Sequence, residues 1–134
     1  MTALPKLSAI LLELAKSAFI DPKAVPSSEA AHAALLFAEV AWNRTLGHDG
    51  AGYQNMLKVF VRSNPKLWTE LRSLDPEVLI EPMRQAKELR YPSDVRVIVV
   101  SGIRDGNVHV EWCEEKDFPR VSELAKMRLL RGVW

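Results

Sequence analysis

Only one cysteine, Cys113, stands among 134 residues. An intramolecular disulfide is therefore excluded, and so is a cysteine-built zinc site within one chain. The absence of a disulfide framework fits a reducing compartment. Charge of one sign is also lacking: 18 Lys and Arg oppose 17 Asp and Glu, for a net charge of +1. That balance supplies no general attraction toward nucleic acid, an acidic substrate or a membrane surface. No long hydrophobic run occurs. The segment after Met1-Thr2-Ala3-Leu4-Pro5-Lys6 has no basic leader, and Glu13 and Lys16 interrupt its apolar residues. It reads as an amphipathic helix rather than a signal peptide or a membrane span, and the expectation is a cytoplasmic protein. No low-complexity run, internal repeat or linker appears. With 48% hydrophobic residues the chain can bury a core, and one domain over 1–134 is expected.

Helical signals dominate to about residue 91. Leu7, Ile10, Leu11, Leu14 and Ala18 share one face of a first helix beginning near Pro5. After the Asp21–Pro26 connector, Ser27 or Ser28 can cap a second helix that runs to about Leu46, with Gly47 as its stop. Apolar residues from Ala30 to Trp42 surround this helix on nearly all sides, which places it at the centre of a bundle. A third helix is read from Tyr53, Met56, Leu57, Phe60 and Val61. A fourth begins at Asn64-Pro65 and buries Leu67, Trp68, Leu71 and Leu74. Asp75-Pro76 repeats the cap-plus-proline signal. Because a proline deep in a helix clashes with the preceding turn, a short turn from Pro76 and a main fifth helix from Pro82 to about Arg90 are expected.

The period then changes. Val95–Ile103 and Val108–Cys113 are rich in β-branched residues and flank Asp105-Gly106, the signature of a two-residue type I′ hairpin. That turn would pair Ile103 with Val108, Ser101 with Val110, Val100 with Glu111, Val99 with Trp112, Ile98 with Cys113 and Arg96 with Glu115. A last helix is read over Val121–Arg131. The fold class expected is α+β and mainly α: a bundle of about five helices (1–91), then a β-hairpin and a C-terminal helix (92–134).

Three groups of residues could carry chemistry. Glu29, His32, Glu39 and Asn43 fall in one arc of the second helix, since their offsets approach multiples of its ~3.6-residue turn. Glu29 and His32 have the Glu-x-x-His spacing of carboxylate-bridged metal sites, but those need the motif twice, and only His32, His48 and His109 are present. No metal and no cofactor is expected. Polar groups on an apolar helix need partners, so a structural polar seam is the competing reading. The loop Gly47–Gly52 carries His48 and Asp49 but lacks the lysine and the preceding strand of a phosphate loop. His32, Glu39, Asn43, His48 and Asp49 are thus the candidate ligand-binding residues, and no catalytic residue is assigned.

The third group is Arg84, Lys87, Arg90 and Arg104. Two short helices followed by a hairpin follow the order of a winged helix, with these residues on the recognition helix and wing. Against that, residues 65–134 hold 12 basic and 12 acidic side chains, and Glu77, Glu81 and Glu88 share the helix.

The balance falls against an enzyme and toward a non-catalytic protein-interaction or regulatory module. The alternatives are a winged-helix-like nucleic-acid binder, or a small ligand-binding protein or enzyme using the polar stripe. A two-stranded ribbon is not stable alone and its edges invite pairing. A homodimer through the hairpin is therefore expected, with no membrane association.

Overall fold

The computed structural model describes residues 6–21, 23, 27–47, 59, 62–73, 75–105 and 107–117. The expected third helix at 53–61, the Gly47–Gly52 loop beyond Gly47, and the C-terminal segment Val121–Arg131 lie largely or wholly outside them.

Among the described residues the architecture is three α-helices and an antiparallel sheet; the expected bundle of about five helices plus a C-terminal helix is not the fold. Helix α1 spans Leu7–Ala15 and buries Leu7, Ile10, Leu11 and Leu14, the stripe read from the sequence; Ala18 follows in a short 3₁₀ turn. Helix α2 spans Ser28–Arg44. Ser27 caps it by accepting a hydrogen bond from the Ala30 amide at 3.2 Å, and the Glu70 carboxylate holds the Ser27 hydroxyl at 2.6 Å. Gly47 follows at φ 92, a left-handed conformation that favours glycine. Everything from Ala33 to Trp42 on α2 is buried, so the helix is the centre of the core.

Two helical expectations are corrected. The fourth helix shrinks to a 3₁₀ segment, Pro65–Thr69. Just beyond it, the Ile20 amide donates to the Glu70 carbonyl and the Arg72 amide to the Ala18 carbonyl, both at 2.8 Å. These bonds form an antiparallel bridge between Phe19 and Leu71, which draws the backbone out of the helix. The fifth helix does the reverse. Helix α3 runs unbroken over Pro76–Arg90 through Pro82, with Asp75 capping the Glu77 amide. Leu79, Ile80, Met83 and Lys87 bury themselves on both sides of the proline. That burial holds the helix against a cost of ~3 kcal/mol.

Strands β1 (Val97–Arg104) and β2 (Asn107–Cys113) form the hairpin. Asp105 adopts φ 53, as a type I′ turn requires. Ile103↔Val108, Ser101↔Val110 and Val100↔Glu111 pair as the turn dictates. Between Ile98 and Val100 a β-bulge then shifts the register by one residue, so Ile98 pairs with Trp112 and Val97 with Cys113. The bulge replaces the expected Val99–Trp112 and Ile98–Cys113 pairs. It brings Ile98, 1% exposed, into the core cluster, and Val97 beside it is fully buried. The ladder ends before Arg96, whose guanidinium pairs with Asp94.

Candidate functional site

The polar stripe of α2 is a seam along β1. In a hairpin with a two-residue turn, alternate residues direct both backbone polar groups toward the partner strand or away from it. Ile98 directs them away from β2, to the outer edge of β1. There the Asn43 carboxamide donates to the Ile98 carbonyl at 2.7 Å and accepts from the Ile98 amide at 2.9 Å. This is the two-bond exchange that a residue of a third strand would make. Two residues earlier on the same edge, the Trp42 indole N–H donates to the Arg96 carbonyl at 2.6 Å. Farther along, His32 abuts Gly102: a Cβ added there would sit 3.7 Å from the imidazole Cε1. Helix position 43 thus meets strand position 98 and position 32 meets 102, so α2 runs antiparallel to β1 and covers its edge at Arg96 and Ile98.

The rest of the stripe divides. Glu29 is exposed, whereas Glu39 is 5% exposed and His32 is half-buried. Burial pushes the His32 imidazole below its ordinary value. An unfolded chain then takes up this proton at a higher pH than the folded one. The stability that neutral His32 supports is complete above about pH 6.5 and falls as pH drops toward its folded value. Replacing His32 with Gln is expected to flatten that acid-side slope. Urea midpoints across the range check this; an unchanged slope would contradict it.

A second polar group was not foreseen as a unit. Lys87 is 2% exposed, and its ammonium lies 4.9 Å from the centre of the Trp42 ring while donating to the Asp94 carbonyl at 2.8 Å. Tyr91 packs against the same indole, with ring centres 6.4 Å apart. Asp94 is 4% exposed and takes hydrogen bonds from the Arg96 guanidinium. Burial pushes the Lys87 amine down. Burial also acts to raise the Asp94 carboxyl, but the hydrogen bonds and charge of Arg96 outweigh it and leave the group below its ordinary value. The sequence signal that could have located this cluster is the charge of Asp94 and Arg96 beside the buried start of β1.

The remaining candidate residues are placed as follows. Arg84 is gripped by Glu81 and by Glu88, the latter at 2.8 Å. Arg90 pairs with Glu13 of α1. Lys87 is buried as described, so these three cations of α3 face protein groups. The Arg104 side chain, His48 and Asp49 lie outside the described residues. Among the described residues no group of three or more His, Cys, Asp or Glu side chains could hold a metal ion, and no helix is long and apolar enough to cross a membrane.

The exposed end of the hairpin has a different character. Trp112 is 50% exposed and Val95 is 64% exposed. The Arg96 guanidinium lies 5.6 Å from the centre of the Trp112 ring. An aromatic ring, an arginine and a β-branched side chain are thereby gathered at the end opposite the turn. No protein-family model, curated protein or solved structure matches the chain.

Proposed function

We propose that the protein is a non-catalytic interaction module that binds another protein through the open end of its hairpin. The observation that carries this reading is the Trp112–Arg96 stack beside exposed Val95. Tryptophan and arginine are enriched among the few residues that dominate protein interfaces. Here they sit on a hairpin anchored from behind by α2, so little ordering entropy is lost on binding. The polar groups of α2 support the same reading, because Asn43 and Trp42 spend their hydrogen bonds on the backbone of β1.

Native mass spectrometry of the chain isolated from its own host tests the proposal. The expected species is a complex with protein, lost on replacing Trp112 with Ala at a cost of about 2 kcal/mol or more in binding. The half-exposed ring makes little of the core, so the variant should remain folded. A stoichiometric small molecule retained in place of protein, or a protein complex indifferent to Trp112→Ala, would overturn it.

A further inference from the structure

Val95, Arg96 and Trp112 are presented by groups buried beneath them. Asp94 is 4% exposed and Lys87 2% exposed. The Asp94 carboxylate accepts from the Arg96 amide, two residues on, at 3.2 Å. That bond closes a tight turn with Val95 at its apex. The same carboxylate accepts from the Arg96 guanidinium Nε at 3.0 Å. One buried group thus shapes the turn that exposes Val95 and aims the guanidinium that lies 5.6 Å from the centre of the Trp112 ring. Two donors hold the turn from behind. The Lys87 ammonium of α3 donates to the Asp94 carbonyl at 2.8 Å, and the Trp42 indole of α2 donates to the Arg96 carbonyl at 2.6 Å. The ammonium lies 4.9 Å from the centre of the Trp42 ring, so a single packed unit pins the carbonyls of residues 94 and 96.

We propose that Asp94, backed by Lys87, is the positioning residue of the protein-binding surface. This rests on the interaction-module reading and names the groups that regulate its geometry. Neither side chain is exposed enough to serve as a contact. Both act through Val95, Arg96 and Trp112. An arginine fixed before the partner arrives loses little rotamer freedom on binding. Its guanidinium, held against Trp112, orders that ring with it. Without the carboxylate, the guanidinium loses its buried anchor and the surface must be ordered at the expense of affinity.

Two variants separate this role from fold stability. Asp94→Asn keeps an oxygen for the Arg96 amide but loses the charge that grips the guanidinium. Lys87→Met removes the bond to the Asp94 carbonyl and keeps the volume beneath Trp42. NMR of the native chain is expected to show the Arg96 side-chain protons shifted upfield by the Trp112 ring. In Asp94→Asn they should move to the positions of a solvated arginine while the α2 amides keep their native pattern. The binding probe is the protein that copurifies with the native chain and is lost on Trp112→Ala. It should bind Asp94→Asn roughly tenfold more weakly and Lys87→Met roughly fivefold more weakly. If Asp94→Asn does not fold, Lys87→Met carries the binding test by itself. Unshifted Arg96 signals in the native chain, native Arg96 shifts in Asp94→Asn, or native affinity in the folded variants would overturn the positioning role. With Trp112→Ala still abolishing the complex, the interaction reading would survive that result. If no protein accompanies the native chain, the interaction reading fails and the positioning role falls with it.

Discussion

Replacing Asn43 with Ala is expected to destabilise the fold by about 2–3 kcal/mol, a large effect for a half-buried polar residue on a helix. Ile98 is 1% exposed, so its amide and carbonyl have no ready access to water once the carboxamide is gone. Each orphaned backbone group costs roughly 1–3 kcal/mol, and partial hydration at the helix end offsets some of the sum. Asn43→Asp should rescue little. A carboxylate can still accept from the Ile98 amide but cannot donate to its carbonyl, and it places charge against that oxygen. Urea unfolding measures both variants. An unchanged slope with a lowered midpoint is expected, since the surface exposed on unfolding stays the same. A loss below about 0.5 kcal/mol for Asn43→Ala would mean that the edge is held by packing alone.

Asp94→Ala should cost more, about 3–5 kcal/mol, because it leaves the Arg96 guanidinium (10% exposed) without its buried carboxylate and removes negative charge near Lys87. Lys87→Met should behave differently. Methionine keeps the volume under Trp42, and losing one bond to the Asp94 carbonyl is set against relief from burying an ammonium. The net change is expected to lie within about 1 kcal/mol of zero. Because the Asp94 carboxyl is held below its ordinary value, its contribution is complete above the unfolded carboxylate range and is lost as pH falls through the folded one. Thermal unfolding of the two variants at neutral pH settles the order. Equal losses would contradict the separate roles assigned to the pair.

Local chemistry was legible in the sequence where a single segment decides the outcome. The stripe Leu7, Ile10, Leu11 and Leu14, the Ser27 cap and the Asp105 turn each depend on neighbours in sequence and form as read. What was not legible depends on distant contacts. The Pro65 segment ends early because residues 18–20 bridge to residues 70–72, and α3 survives Pro82 because residues on both sides of it are buried. The bulge beyond Val100 breaks a register that the turn alone would have continued. The candidate site shows the same division. Helical spacing placed His32, Glu39 and Asn43 on one arc, but nothing in that spacing indicates that Asn43 binds the backbone of residue 98. The ring of Trp42 over Lys87, and Arg96 between Asp94 and Trp112, join residues from three separate elements, so no local pattern announces them.

The central claim is that α2 closes the outer edge of β1 through Asn43. Amide hydrogen exchange followed by NMR tests it at one atom. The Ile98 amide should exchange as slowly as the core amides of α2, although it lies on a strand edge. In the Asn43→Ala protein it should exchange much faster while the α2 amides around Phe37 keep their protection. Rapid exchange of Ile98 in the native chain, or slow exchange retained in the variant, would contradict the claim.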